Sequence, residues 1–361
     1  MKFYTSNIIL FTALIVISHW SCSSIGPEKG IKPNKENVKF IGRFNFNGSP
    51  KVWAPGAYIE FWFIGSFCSI EITDKPTDNS NNYIEIIRDN LPVRRLKLND
   101  SRNLIKLLKN GKKGLHHIII TKCTEARIGS ISFNKIHCKK LLKPKKKKKI
   151  LIEFIGDSMT CGNGATSKTP YDVHGAWYEQ HAAYHSYGPT VARKYSADWI
   201  LSAVSGFGLT RSCCGKTSTL PEVYDFADLS FKQHKHNWQK YHPKIIFICL
   251  GQNDGYQNTR IFSYQLVKFV KRLKNGHPKA NIVLLDSPMA KTKLKKHLDQ
   301  CIQKTAVKLK KNFGNQIHYY LFKKRYCNGR LLHPNLHEHR EIANEISNFI
   351  LSNKNLQRIL N

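Results

Sequence analysis

Residues 149–164 of the chain read KILIEFIGDSMTCGNG, a hydrophobic run followed by a turn and the start of a helix. The run at 149–156 is nearly continuous, which is typical of a strand buried on both faces. Gly156 permits a tight turn, and Asp157 suits the N-cap of a helix. Ser158 would begin that helix with its hydroxyl exposed, although Gly-Asp-Ser alone is also what a plain cap requires. The stretch predicts the first β–α unit of an α/β domain.

The alternation of strand and helix continues downstream. Four more strand candidates follow, and two of them are again nearly continuous hydrophobic runs. Helical periodicity lies between them, as at 263–276, where Gly276 marks the end. This pattern predicts a parallel sheet with helices on both sides and ligands bound beyond the carboxyl ends of the strands. The four strand candidates are 198–206, 244–251, 280–287 and 316–322.

Two of these strand ends carry groups that a serine nucleophile needs. Gly206, in the motif SGFG, offers an unobstructed backbone N–H, and Asn253, in GQND, offers a side-chain amide. With the Ser158 N–H, they make three donors for the oxyanion of an acyl transfer. Each has a structural alternative, a turn at Gly206 and an Asx-turn or cap at Asn253, and we expect Asp254 to serve the fold. His333, in the motif HPN, is the candidate general base.

The order of these motifs resembles the SGNH (GDSL-like) hydrolase superfamily over about residues 150–355. The strings IEFIGDSMTCGNG, HSYGPTVARKYSADWILSAVSGFG and YHPKIIFICLGQND are similar to family 2 carbohydrate esterases. Those are two-domain deacetylases with a β-sandwich ahead of the SGNH domain. The segments IGRFNFN and APGAYIEFWFIGS resemble that sandwich, so the resemblance spans nearly the whole mature chain.

The resemblance implies a serine esterase that removes O-acetyl groups from plant polysaccharides such as xylan or glucomannan, without a metal or organic cofactor. It assigns Ser158 as nucleophile, His333 as base, and Ser158, Gly206 and Asn253 as the oxyanion hole. We expect a monomer whose partner is an acetylated polysaccharide or oligosaccharide. The alternative is a weakly active or inactive homologue that binds polysaccharide.

Arg330 is the departure from the SGNH pattern, because these enzymes commonly have Asp three residues before the histidine. Some members of the family have only a Ser–His dyad, with a backbone carbonyl orienting the imidazole. A carbonyl can accept the Nδ1–H and so fix the tautomer. We therefore expect a dyad in which a carbonyl of residues 329–331 holds His333. An inward Arg330 cation would lower the pKa of His333, and we expect the side chain to point outward.

The first half of the mature chain has a different pattern. Residues 37–142 contain short segments rich in β-branched and aromatic residues, separated by turn signals such as NGSP and KNGKKG. The segments are VKFIGRFNF (38–46), AYIEFWFIG (57–65), SFCSIEITD (66–74), NYIEIIRD (82–89), HHIIITKC (116–123) and GSISFNKI (129–136). Six or more short strands at this spacing predict an all-β jelly-roll sandwich. The lysine-rich block 143–149 is expected to link it to a three-layer α/β/α domain of the SGNH type at 150–355.

The N-terminus resembles an export signal. Residues 1–22 combine Lys2, a hydrophobic run from Ile8 to Ile17, and small residues near Cys22, which is typical of a secretory signal peptide. Cys22 followed by two serines also resembles the lipid-attachment site of bacterial lipoproteins, so membrane attachment through lipidated Cys22 stays open. The polar segment 23–36 is expected to be a tether. We expect an exported protein, in the bacterial periplasm, at the cell surface or secreted.

Charge and metal chemistry leave two further alternatives. The chain has 58 Lys and Arg against 24 Asp and Glu, a net charge of +34, which favours acidic partners. The lysines are scattered along the chain, and we expect no nucleic-acid binding in an exported protein. His333 and His337 have the i, i+4 spacing of metal ligands, but no HExxH motif is present and Pro334 suits the first turn of a helix. We expect no metal, and exposed side chains at His337 and His339.

Overall fold

The computed structural model describes residues 30–77, 79–145, 150–172 and 174–360. The predicted signal peptide with Cys22, the first half of the tether (23–29) and the lysines at 146–149 lie outside the described residues. Within the described part of the chain, no helix has both the length and the hydrophobicity needed to cross a bilayer.

Antiparallel β-structure makes up the first half of the chain, as predicted. Its strands are β1 (Lys39–Ile41), β2 (Phe44–Asn45), β3 (Lys51–Val52), β4 (Tyr58–Pro76), β5 (Tyr83–Arg88), β6 (Arg94–Lys97), β7 (Arg102–Leu108), β8 (Gly114–Lys122) and β9 (Gly129–Leu141). The strands form one hydrogen-bonded network in the order β2-β3-β9-β4-β8-β5-β6, and β1 and β7 both pair with β4.

Strand β4 is central to this network, because β1, β7, β8 and β9 all pair with it. It is 19 residues long and pairs with β8 along its first part, with β7 along its second, and with β9 at its other edge. The sequence predicts two strands here, divided between Gly65 and Ser66, and this prediction is wrong. The strand continues through Gly65, with a shift in register between Ile64 and Cys68. Strands β6 and β7 have no counterpart among the predicted segments.

A parallel sheet forms the second half, with the strand order β11-β10-β12-β13-β14. Its strands are β10 (Leu151–Gly156), β11 (Asp198–Ala203), β12 (Ile245–Cys249), β13 (Asn281–Leu285) and β14 (Ile317–Tyr320). The helices are α1 (Ser158–Cys161), α2 (Tyr187–Lys194), α3 (Leu220–Val223), α4 (Thr259–Gly276), α5 (Thr292–Phe313), α6 (Leu336–Ser352) and α7 (Lys354–Leu360). All five predicted strands are confirmed, and α4 begins four residues before the predicted start at 263 while ending at Gly276 as predicted.

The two faces of the parallel sheet bury different side chains. Phe154 and Phe247 pack in one cluster with residues of α2, α6 and α7. Ile155 and Ile248, the next residue along each strand, pack in the other cluster with residues of α4 and α5. Since successive side chains of a strand point to opposite faces, both faces must be hydrophobic. The predicted three-layer α/β/α architecture is confirmed.

Buried charged groups join the two halves. Arg43, at the start of the antiparallel half, is fully buried and donates to the carbonyl oxygens of Tyr224 and Phe226 at 2.7 and 2.9 Å and to Ser202 Oγ at 2.7 and 3.0 Å. Its guanidinium lies 3.8 Å from the carboxylate of Glu153, a buried residue of β10. Burial lowers the pKa of Arg43 and raises that of Glu153, so each group depends on the other for its charge.

Candidate active site

Ser158 lies where strand β10 passes into helix α1, at the carboxyl edge of the sheet. Asp157 is the N-cap of α1, as predicted, and its Oδ1 accepts from the Met159 N–H at 3.2 Å. Gly156 ends the strand without a positive φ. A Cβ at this position would come within 2.0 Å of Thr160 Oγ1, so glycine allows the helix to pack closely on the strand end.

His333 contacts the Ser158 hydroxyl directly. Its Nε2 lies 2.8 Å from Ser158 Oγ, and its Nδ1 lies 3.1 Å from the carbonyl oxygen of Arg330. A carbonyl can only accept, so Nδ1 carries the proton and Nε2 presents its lone pair to the hydroxyl. The acceptor comes from the predicted range 329–331. This geometry allows His333 to take the proton of Ser158.

A strained turn directs the Arg330 carbonyl at His333. Leu331 and Leu332 both adopt left-handed backbone conformations, with φ of 55° and 60°. Such conformations cost on the order of 1 kcal/mol or more each in non-glycine residues. The Gly329 N–H closes the turn by donating to the His333 carbonyl oxygen at 2.6 Å. Helix α6 begins only afterwards, with Asn335 as its N-cap, so the prediction that Pro334 occupies the first helical turn is wrong.

The Arg330 side chain is buried, which contradicts the prediction that it points outward. Only 8% of the residue is exposed, and its guanidinium donates to the backbone carbonyl oxygens of His174, Gly175 and Ala176 at 2.8, 2.9 and 3.3 Å. These carbonyl oxygens offer a cation the hydrogen bonds that it loses on burial. Arg330 therefore fastens the 174–176 segment to the turn that orients His333.

The pKa of His333 sets the pH dependence of kcat/KM that we predict for this site. Burial lowers the pKa of His333 below its ordinary value of 6.5, and hydrogen bonds to the carbonyls of Arg330 and Leu331 raise it in part. Because the neutral imidazole is the base, kcat/KM should fall as the pH drops through this pKa. We expect the midpoint of the acid limb below pH 6.5, measured with an aryl acetate. Asp157→Asn should leave that limb in place, and a limb that vanishes in this variant would assign it to Asp157 instead.

Replacing Arg330 with aspartate tests whether the absence of a carboxylate at this position limits the reaction rate. We expect Arg330→Asp to lower kcat/KM and stability, because three carbonyl oxygens lose their donors and each hydrogen bond to a charged group is worth about 1.5–3 kcal/mol. The pH–rate profile and the thermal midpoint measure both effects, with Arg330→Lys as the charge-preserving control. A large gain in rate in Arg330→Asp would contradict this interpretation.

Two backbone N–H groups at the carboxyl ends of the neighbouring strands β10 and β11 are available as donors. Neither the Ser158 N–H nor the Gly206 N–H donates a hydrogen bond to another described residue. Gly206 has φ of 80°, a left-handed conformation that favours glycine, and an added Cβ would lie 3.0 Å from Lys216 Nζ. The Lys216 side chain, with its ammonium group, thus packs against Gly206. Free N–H groups and a nearby cation favour negative charge, as the predicted oxyanion hole requires.

The amide of Asn253 is already engaged. Its Nδ2 donates to Asp157 Oδ2 and to the Phe207 carbonyl oxygen, both at 3.0 Å, which accounts for both of its hydrogens. An oxyanion would have to displace one of these acceptors. Burial, together with the negative charge of Asp254, raises the pKa of Asp157 to about 7. Sequence reasoning assigned Asp157 only as a cap, and no sequence signal relates it to Asn253, which lies 96 residues further on.

Of the remaining predictions around the site, those for Asp254 and His337 are confirmed and that for His339 is wrong. Asp254 is fully buried and accepts from the N–H groups of Leu209 and Thr210, so its structural role is confirmed. His339 is fully buried, contrary to prediction, while His337 is exposed as predicted. No cluster of three or more potential metal ligands occurs within the described residues.

Comparison with known families matches both halves of the chain. The family model described as carbohydrate esterase 2 N-terminal matches residues 40–144, and that of the GDSL-like lipase/acylhydrolase family matches residues 154–313. The chain is 26% identical over 330 residues to an acetylxylan esterase/glucomannan deacetylase of Cellvibrio japonicus, covering 88% of this chain and 89% of that protein. It is 30% identical over 274 residues to the cellulase/esterase CelE of Acetivibrio thermocellus. That match covers 71% of this chain and only 32% of CelE, so the chain spans about a third of that relative.

Solved structures show the same fold. A family two carbohydrate esterase from Clostridium thermocellum, in complex with cellohexaose, superposes with a TM-score of 0.81 at 24% identity, covering 88% of this chain and 99% of that one. A family two carbohydrate esterase from Cellvibrio japonicus also has a TM-score of 0.81, at 23% identity, covering 92% of this chain and 98% of that one. The predicted fold class, an antiparallel β-domain followed by an SGNH-type α/β domain, is confirmed.

Proposed function

The chain belongs to carbohydrate esterase family 2, and from this premise we propose that it is a carbohydrate O-acetylesterase acting through a Ser158–His333 dyad. The observation that carries the proposal is the 2.8 Å contact between Ser158 Oγ and His333 Nε2, with His333 Nδ1 held by a carbonyl. The relatives' names, acetylxylan esterase and glucomannan deacetylase, point to acetylated xylan or glucomannan as substrates.

The proposed reaction proceeds by acyl transfer. Ser158 Oγ attacks the acetyl carbonyl carbon while its proton passes to His333 Nε2. The N–H groups of Ser158 and Gly206 bind the resulting oxyanion, and Asn253 joins them by releasing Asp157 or Phe207. The C–O bond to the sugar then breaks, and His333 returns the proton to the departing sugar hydroxyl. A water molecule, activated by His333, hydrolyses the acetyl-serine to acetate and restores Ser158.

A polysaccharide-binding homologue without turnover is the competing function. It was suggested by the missing carboxylate at position 330. The hydrogen-bonded Ser158–His333 pair and the free N–H groups favour the enzyme instead, because a site used only for binding has no need of them. The bulk of Arg330 is also no obstacle, since its side chain is bound to carbonyl oxygens elsewhere.

Acetate release from a panel of acetylated polysaccharides tests the proposal. The panel should contain acetylated xylan, acetylated glucomannan and acetylated pectin, with p-nitrophenyl acetate as a neutral reference. We expect turnover on the first two that depends on Ser158. Tight binding of these polysaccharides with no acetate release would establish the binding homologue instead.

Export and a monomeric state belong to the same proposal, with the export signal within residues 1–22 and cleavage either after Cys22 or, if Cys22 carries a lipid, directly before it. Support comes only from the sequence pattern of the N-terminus and from a polysaccharide substrate, which a cell meets outside its membrane. Mass spectrometry of the mature protein would locate the first residue and reveal any lipid on Cys22, and light scattering would give the mass in solution.

A further inference from the structure

A carboxylate from the antiparallel domain reaches the turn that carries Gly206. Glu125 follows strand β8 and is fully buried. Its Oε2 accepts from the N–H of Ser205 at 2.6 Å, across 80 residues of sequence. Ser205 precedes Gly206, whose N–H is one of the two free donors at the carboxyl ends of β10 and β11. The first domain therefore contributes a side chain to the carboxyl edge of the second domain's sheet.

Glu125 also lies against the helix that begins with Ser158. Burial, and next the negative charge of Glu125, raise the pKa of the Cys161 thiol at the end of α1. The Glu125 N–H donates to Nδ1 of the buried His181 at 3.4 Å. The side chain thus lies between α1 and the Ser205–Gly206 turn, the two segments that supply the free N–H groups.

A buried lysine lies beside Glu125 and binds its backbone carbonyl oxygen. Lys122 is fully buried, and its Nζ donates to the carbonyl oxygens of Thr124 and Glu125 at 2.7 and 3.0 Å and to Thr124 Oγ1 at 3.1 Å. Burial lowers the pKa of Lys122 to about 7, while the charges of Asp74 and Glu125 raise it. Removing a carboxylate and an ammonium from water costs several kcal/mol per ion, and hydrophobic residues of similar size would often be at least as stable. Stability alone gives little reason to keep the charge there.

We propose that Glu125 is a positioning residue, through which the antiparallel domain holds the Ser205–Gly206 turn so that the Gly206 N–H faces the Ser158 hydroxyl. The inference deepens the proposed esterase function and rests on it. Gly206 has a left-handed φ that a free turn could leave, because glycine has no Cβ to restrict its backbone. Anchoring the preceding N–H with a buried charged acceptor removes that freedom before the oxyanion forms. Preorganised donors of this kind are what lower the barrier.

Substitution of Glu125 shows whether this residue positions the Gly206 N–H for catalysis or only stabilises the fold. Glu125→Met keeps the volume and removes the acceptor. We expect kcat on p-nitrophenyl acetate to fall about 10- to 100-fold, less than the ~10²–10³-fold cost of deleting an oxyanion donor. KM should stay nearly constant, because the donor acts in the transition state. Glu125→Gln keeps an oxygen acceptor for the Ser205 N–H and should restore most of kcat.

Tyr58→Phe is the matched control. The Tyr58 hydroxyl donates to Asp198 Oδ1 at 2.7 Å, another buried contact between the domains but one at the far end of strand β11 from Gly206. This variant should lose stability and keep its kcat. Suppose that Tyr58→Phe and Glu125→Met lower the thermal midpoint by the same amount. If they then also lower kcat by the same factor, Glu125 has only a structural role and the proposal is overturned.

Hydrogen–deuterium exchange provides a readout that does not depend on activity. Peptides that cover residues 204–208 should exchange faster in Glu125→Met than in the wild type, while strand β11 stays protected. Unchanged exchange at residues 205 and 206 would overturn the proposal even if kcat falls. A wild-type protein without esterase activity would refute the proposed function, and the exchange rates would still decide whether Glu125 holds the turn.

Discussion

Replacing Ser158 with alanine is expected to lower kcat on p-nitrophenyl acetate by about 10⁶-fold, the loss seen when a serine hydrolase loses its nucleophile. The alanine would still begin helix α1, but no oxygen would remain at this position to attack the acetyl carbon. His333 Nε2 would lose the hydroxyl that lies 2.8 Å away. Any remaining rate above that of the uncatalysed hydrolysis in water would come from the N–H donors alone.

Ser167→Ala is the control for this substitution. The Ser167 hydroxyl is part-buried and donates to the Thr169 carbonyl oxygen at 2.8 Å, in the segment after the glycine-rich turn at 162–164. The same hydroxyl lies 3.2 Å from Asp172 Oδ2 and accepts from the Thr169 N–H at 3.4 Å. Its removal deletes these local hydrogen bonds, each worth about 1 kcal/mol, and no reacting atom. We expect kcat within about tenfold of the wild type in this control. Turnover above a tenth of the wild-type value in Ser158→Ala, with a native circular dichroism spectrum, would place the nucleophile elsewhere.

Replacing Arg43 with methionine is expected to lower the free energy of unfolding by about 3–5 kcal/mol, which is the usual cost of breaking a buried ion pair from one side. Glu153 would stay fully buried without its cation, and the carbonyl oxygens of Tyr224 and Phe226 would lose their donor. Since these partners belong to the α/β domain, the contact between the domains should weaken as well. Urea unfolding, followed by tryptophan fluorescence, measures the change.

An exposed ion pair serves as the matched comparison. Lys324 Nζ lies 2.9 Å from Glu341 Oε1, with 56% of the lysine side chain exposed. Lys324→Met removes one charge of the same sign and should change the free energy of unfolding by less than about 1 kcal/mol, because water already solvates both partners. A similar small change in Arg43→Met would mean that the buried network contributes little to joining the domains.

Strand prediction succeeded where the residues repeat a pattern and failed where they do not. The parallel strands are hydrophobic at every position, so the runs at 149–156 and 244–251 stand out without any knowledge of their neighbours. Strand β6 reads RRLK and β7 reads RNLIKLL, and their charged and polar positions hide the alternation on which a strand prediction depends. Strand β4 looked like two strands because Gly65 and Ser66 resemble a turn.

The positions of the proposed site residues at the strand ends could be predicted from the sequence, but their contacts only in part. Ser158 and Gly206 follow hydrophobic runs, and parallel strands bring their carboxyl ends to one edge. By contrast, the Arg330 guanidinium was expected in solvent and is buried, because the carbonyl oxygens that bind it come from residues more than 150 positions away. The Asn253 amide was expected to be free and instead donates to Asp157 and Phe207.

The sequence by itself determined the local structure: the strand at 151–156, the Asp157 cap, the start of a helix at Ser158 and the resemblance to a family of esterases. The strand, the cap and the helix start depend on hydrogen bonds and side-chain spacing within a few residues, and the resemblance depends on the order of short motifs along the chain. Only the tertiary structure decided which carbonyl holds His333, where Arg330 lies and that Glu125 reaches Ser205. Those contacts join residues from separate segments or depend on a strained turn, so they exist only once both domains have packed.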